Sequence, residues 1–152
     1  MKIKLSTMEM ILAGNLGMAR HMQSVSRKPS HDMPPELSLE NHTTGAIGEF
    51  AAAKALGLYP GFTVNNFDGP DIQPNIQVRA THKGRLILTN RDKSNEKFVL
   101  VLGYGPDLDV AGWIWGHEGK QDKWLTDVKN GRPPAYFIPA DALRPIETLN
   151  ES

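Results

Sequence analysis

The period of the apolar positions changes along the chain and divides it into helical and β-type segments. Met8, Ile11, Leu12, Leu16, Met18, Ala19 and Met22 recur at approximately helical spacing. Just ahead, Ser6-Thr7-Met8-Glu9 has the form of a capping box, with Ser6 as the cap and Glu9 reaching back to its amide. Together they predict a helix over 7–24. Pro29, Pro34 and Pro35 block regular structure between Ser26 and Glu36 and predict a loop. A second helix is expected from Ser38 or Leu39 to Leu56, stopped by Gly57. Gly45 and Gly48 weaken it by roughly 1 kcal/mol each relative to alanine. Their presence implies that a sheet or a ligand packs close there.

Beyond Tyr59-Pro60-Gly61 the pattern turns β-like. Strands are expected at 62–67, within 71–80, at 84–89, 97–102 and 110–116, and at 135–138. The run Lys97–Leu102 is continuously apolar after its lysine and fits a central strand buried on both faces. Trp113 and Trp115 share one face of their strand, and Ile114 takes the other. A charged stretch with at most one helical turn separates the last two strands. The chain closes with a turn or short helix at 140–143 and a fraying tail. There are no repeats and no internal boundary. The order helix, helix, strands, closing elements predicts a single α+β or mixed α/β layered domain over 1–152. In it a helix and Pro-rich loop (1–37) precede a core (38–146).

Composition narrows the chemistry. At 152 residues, 39% hydrophobic and 22% charged, the chain is ordinary for one globular domain. It has no cysteine, which removes disulfides, thiolate zinc sites and cysteine nucleophiles. Glu9, Asn15 and Arg20 interrupt the N-terminal apolar stretch, so neither a signal peptide nor a membrane span is expected, and the chain reads as cytoplasmic. Formal net charge is zero, so no global field draws it to nucleic acid. Locally, six basic residues face two acids between Arg79 and Lys97, and five face two in the first 35 residues. Both stretches suit phosphates, and both suit an ordinary solvated surface.

Candidate chemistry gathers around Asp68–Leu88. Asp71 follows Pro70 at the mouth of a hairpin, and Gln77 and Arg79 then point the same way on a strand whose Ile76, Val78 and Ala80 face the core. That layout gathers a metal and a phosphate; it is also what a half-exposed hairpin shows. Glu49 sits on the second helix in a stretch of Ala, Gly, Ile and Phe, on one stripe with His42 and Gly45. His42, His82 and His117 are too scattered for a zinc pattern. The glycine-punctuated loops carry no phosphate-binding fingerprint, and the serines form no nucleophile elbow. Trp113 and Trp115 suit base stacking or, more commonly, one core residue plus a rim contact.

Glu49, Pro70-Asp71 and Gln77-Val78-Arg79 together resemble the PD-(D/E)XK nuclease superfamily. Pro70-Asp71 matches its PD, and Gln77-Val78-Arg79 stands where (D/E)-x-K belongs. GAIGEFAAAKALGL looks like its first helix, whose glutamate completes the metal site. The C-terminal half, with its GWI element and proline-flanked aromatic strand, resembles small phage and bacterial proteins of this type; the likeness covers roughly Leu39 to Pro145. The resemblance implies a restriction-endonuclease-like core with a central mixed sheet of about five strands flanked by helices. It implies catalytic Glu49, Asp71, Gln77 and Arg79, with Glu49, Asp71 and Gln77 holding Mg²⁺ or Mn²⁺, and DNA as the partner. One site cuts one strand, so a double-strand cutter of this kind needs a homodimer or two binding events. Gln77 in place of an acid removes one negative charge from the metal site. Arg79 in place of lysine keeps the charge but exchanges no proton near neutral pH, for which Lys83 or His82 would have to substitute. The reading that follows is a metal-dependent DNA endonuclease, with Arg85 to Lys97 flanking the DNA backbone. Its alternatives are a decayed nuclease fold that binds nucleic acid or a protein without cleavage, and a structural phage component.

Overall fold

The computed structural model describes residues 1–26, 35–64, 69–72, 74–127 and 133–151, with the side chains of 35–37 left aside. The Pro-rich stretch 27–34 and Asp68 lie outside the described residues. The elements in order are β1 (Lys2–Lys4), α1 (Thr7–Ser26), α2 (Pro35–Leu56), β2 (Ile76–Thr81), β3 (Arg85–Leu88), β4 (Lys97–Tyr104), β5 (Asp107–Trp115), α3 (Gly116–Gly119), β6 (Leu125–Thr126) and β7 (Ala135–Pro139), with short 3₁₀ segments at Asp122–Trp124, Ala140–Ala142 and Ile146–Glu151.

The strands form two sheets. One is mixed and four-stranded in the order β1-β5-β4-β2, with β2 parallel to β4 and the other pairs antiparallel. The other is antiparallel and three-stranded, β3-β7-β6. A single central sheet of about five strands is therefore corrected to four plus three. The cause lies in β4, which is apolar on both faces and needs a covering layer on each side. Val99 and Val101 pack with α2 residues such as Phe50 and Ala53. Phe98 and Leu100 pack with Leu86, Leu88 and Ile138 of the small sheet. The layers are thus α1, α2, four-stranded sheet, three-stranded sheet.

Other expectations shift at their edges. β1 was not legible, since three residues pairing with β5 leave no periodic signal. Residues 62–64 are not in a strand, and 65–67 lie outside the described residues. The strand expected within 71–80 starts only at Ile76, although Ile72 forms an isolated bridge to it. α2 begins at Pro35, because proline at a first helical position loses no intrahelical hydrogen bond. The capping box is present: Ser6 N–H donates to Glu9 Oε2 at 2.6 Å and Glu9 N–H to Ser6 Oγ at 3.2 Å. Most of the bulky apolar residues of α1 do not face the core; Leu16 does, and Met10 packs against it. The buried positions of α1 are Ala13, Leu16, Gly17 and His21, a narrow face of mostly small residues that meets α2. Among the described residues, no helix is long and apolar enough to cross a membrane.

Candidate functional site

Two close approaches place the site. Where α1 crosses α2, a Cβ on Gly17 would lie 2.6 Å from the Thr43 backbone, so no larger residue fits without a shift. Where α2 presses on β2, a Cβ on Gly48 would lie 2.4 Å from Ala80 Cβ. Arg20 stands one turn beyond Gly17, and Glu49 directly follows Gly48. The two contacts bring them together. Arg20 Nη1 donates to Glu49 Oε1 at 2.5 Å and Nη2 to Oε2 at 2.9 Å, a two-pronged ion pair. Glu49 is only 4% exposed. Arg20 Nε donates to Thr63 carbonyl oxygen at 2.9 Å, tying in the segment that precedes the hairpin.

Asp71 closes the free edge of β2. The Ile72 and Ile76 backbones bond each other in both directions at 3.0 Å. One step along, Asp71 Oδ2 accepts the Val78 N–H at 2.7 Å, so a side chain takes the place of a ladder partner. Gly61 packs against the same residue, its absent Cβ falling 2.6 Å from Asp71 carbonyl oxygen. Burial raises the Glu49 carboxyl above its usual range; Arg20 opposes this and the Asp71 charge adds to it. Burial raises Asp71 as well, against the Val78 N–H, Arg79 and Arg20, and with Glu96. Glu49, Asp71, Arg20 and Arg79 thus form one electrostatic group.

Gln77 and Arg79 lie on the other face of β2, as alternation requires. Gln77 Nε2 donates to Gly69 carbonyl oxygen at 3.3 Å, which leaves its Oε1 as an acceptor. Arg79 Nη2 pairs with Asp92 at 2.7 Å and its guanidinium lies over the Phe98 ring at 5.3 Å. His82 is committed to Tyr104, with a 2.6 Å hydrogen bond and stacked rings. Lys83 is an exposed turn residue. Among the described residues no three His, Cys, Asp or Glu side chains converge; the oxygen donors at hand are the Glu49 and Asp71 carboxylates, with the Gln77 amide on the opposite face of β2.

The basic stretch is less uniform than its charge count. Lys97 is buried, its Nζ 3.0 Å from Leu149 carbonyl oxygen and over the Trp113 and Trp115 rings at 5.5 and 5.0 Å. Burial lowers its pKa. It is therefore removed from the expected phosphate-facing set. Arg85 stacks on Phe137, and Lys93 pairs with Glu96. Trp113 is core and Trp115 half-buried, the core-plus-rim arrangement. Sequence reasoning missed Arg20 as a site residue, because its partner arrives only through the α1–α2 crossing. It missed Glu96 because that acid had been counted only against the local basic charge.

Two grooves lie elsewhere. One of about 580 Å³ runs along β1 and the β4–β5 turn, and one of about 470 Å³ lies beside β3 and β7; neither is lined by Glu49 or Asp71. The candidate site lies at the edge of β2. No family model, curated protein or solved structure matches the chain.

Proposed function

We propose that this protein is a Mg²⁺- or Mn²⁺-dependent DNA endonuclease with a restriction-endonuclease-like core of the PD-(D/E)XK type. One observation carries the reading: the charge of Asp71, which caps β2, reaches buried Glu49, and Arg20 and Arg79 are in electrostatic reach of Asp71. Carboxylate oxygens suit a hard divalent ion, and Glu49 and Asp71 would hold it, with Gln77 left outside the pair on the opposite face of β2. Such an ion polarises a phosphoryl oxygen and lowers the pKa of its bound water. Arg79 would steady the charge that gathers on the phosphate. Arg85 and Arg91 would flank the DNA backbone.

One observation favours a second reading. Arg20 engages both oxygens of Glu49, as in a fold that keeps the ion pair for stability and binds nucleic acid or a partner without cutting. Incubation of the protein with single-stranded, duplex and branched DNA in Mg²⁺ and in Mn²⁺, beside Asp71→Ala, separates the two. Cleavage by the wild type alone supports the nuclease. Absence of cleavage in both metals sinks it, and DNA retention that weakens with salt then supports the binding module.

A further inference from the structure

Helix α1 carries an apolar stripe that nothing in the described structure covers. Met8, Ile11, Leu12, Met18, Met22 and Val25 are 41–63% exposed, and their spacing puts them on one side of the helix. The opposite side, through Ala13, Leu16, Gly17 and His21, packs on α2. Half-exposed side chains of this size leave roughly 600 Å² of apolar surface in one patch, the upper end of what a monomer carries. Both charged residues of the helix lie off the stripe and are engaged, Glu9 with Ser6 and Lys54 and Arg20 with Glu49.

We infer that this stripe is the interface of a homodimer in which two copies of α1 pack antiparallel across a two-fold axis at Asn15. The stripe maps onto itself under that operation. Met8 meets Met22, Leu12 meets Met18, Ile11 meets Ala19, and exposed Asn15 meets its own copy. Each apolar residue in these pairs finds an apolar partner, and Val25 lies beyond the last pair. The amide is self-complementary, since it both donates and accepts, and a single polar residue on a helix seam fixes register and orientation. The self-matching residues and the absence of charge select a second copy of this chain over a different partner. The two patches together expose about 1,200 Å², so a dimer that covers most of them reaches the low end of specific interfaces. The inference does not depend on the Glu49–Asp71 reading, because Arg20 and Glu49 lie on the far side of α1.

Sedimentation velocity of the full chain at about 100 µM should give close to twice 16.8 kDa; a monomer at that concentration overturns the inference. Leu12→Glu, an exposed position, should give the monomer mass with an unchanged far-ultraviolet spectrum. A dimer that survives it overturns the assigned surface. The chain has no cysteine, so orientation is read by cross-linking. Asn15→Cys should oxidise to a dimer, and Met8→Cys should link to Met22→Cys when the two are mixed but not to itself. Self-linking of Met8→Cys without the mixed product overturns the antiparallel arrangement.

Discussion

Arg20 grips both carboxylate oxygens of Glu49 across the α1–α2 crossing, with the carboxylate almost fully out of water. Taking one partner from such a pair leaves a buried charge uncompensated, which costs about 3–5 kcal/mol. Arg20→Met is expected to lose stability on that scale in urea denaturation, and Arg20→Met with Glu49→Gln to recover most of it. A loss below about 1 kcal/mol would mean that the pair behaves as a screened surface contact.

The same fork occupies both Glu49 oxygens, which the proposed metal also needs. Under the nuclease reading Arg20→Met therefore binds Mn²⁺ more tightly than the wild type, by about tenfold or more if release of the guanidinium costs at least about 1.4 kcal/mol. Titration calorimetry checks this, and the gain should vanish in the Glu49→Gln background. Equal or weaker binding in Arg20→Met would instead make Arg20 a support for Glu49.

Asp71 has two separable roles. Asp71→Ala removes the acceptor of the Val78 N–H, and an unpaired buried donor costs about 1–3 kcal/mol. Asp71→Asn keeps an acceptor but removes the charge, so it should melt close to the wild type while losing metal-dependent cleavage. If Asp71→Asn cleaves as well as the wild type, Asp71 is only a strand cap.

The raised carboxyls set a pH dependence of definite sign. A buried acid with a raised folded-state pKa binds its proton more tightly when folded. Its contribution to stability is complete below the ordinary value and is lost as pH rises through the raised one. Glu49 behaves this way through burial. Glu118 is the opposite case: its Arg144 partner lowers it, so its contribution is lost as pH falls through the lowered value. The stability advantage of wild type over Glu49→Gln should therefore shrink as pH rises from the ordinary carboxylate range, whereas the advantage over Glu118→Gln should grow as pH rises up to that range and stay level above it. Urea melts at a series of pH values read both slopes, and a flat difference for Glu49 would mean that Arg20 fully offsets its burial.

Much of this fold was legible because its signals are local. The Ser6–Glu9 capping box, the two-faced burial of Lys97–Leu102 and the alternation around Val78 all follow from neighbouring residues. The division of seven strands into two sheets was not legible: β3 finds its partner in β7, about fifty residues on, and no periodicity encodes that pairing. At the site, Glu49 and Asp71 were named from their settings, and the Asp71 charge reaches Glu49. Gln77 and Arg79 fall on the opposite face of β2 from α2, a consequence of alternation that becomes clear only once the helix is known to cover Val78. Arg20 was just one basic residue on a helix until the Gly17 crossing supplied its partner. The apolar spacing of α1 predicted the helix but not which side it buries: Leu16 is core while Met8, Ile11, Leu12, Met18 and Met22 are exposed, because the helix crosses α2 closely at Gly17.

Gly48 tests the contact that carries Glu49 to the strand. A helix-interior glycine normally gains about 1 kcal/mol on replacement by alanine. Here the added methyl would sit 2.4 Å from Ala80 Cβ, and overpacking of this kind costs about 1–3 kcal/mol. The steric term should exceed the propensity term, so Gly48→Ala is expected to be destabilising, with the helix pushed off β2 and Glu49 carried away from Asp71. Ala80→Gly vacates the volume that the new methyl needs. Gly48→Ala with Ala80→Gly should therefore be more stable than Gly48→Ala alone, even though glycine weakens a strand. A double-mutant cycle by urea denaturation measures this coupling. A strictly additive result would show that the helix and strand do not touch at this point, and the placement of Glu49 beside Asp71 would lose its structural basis.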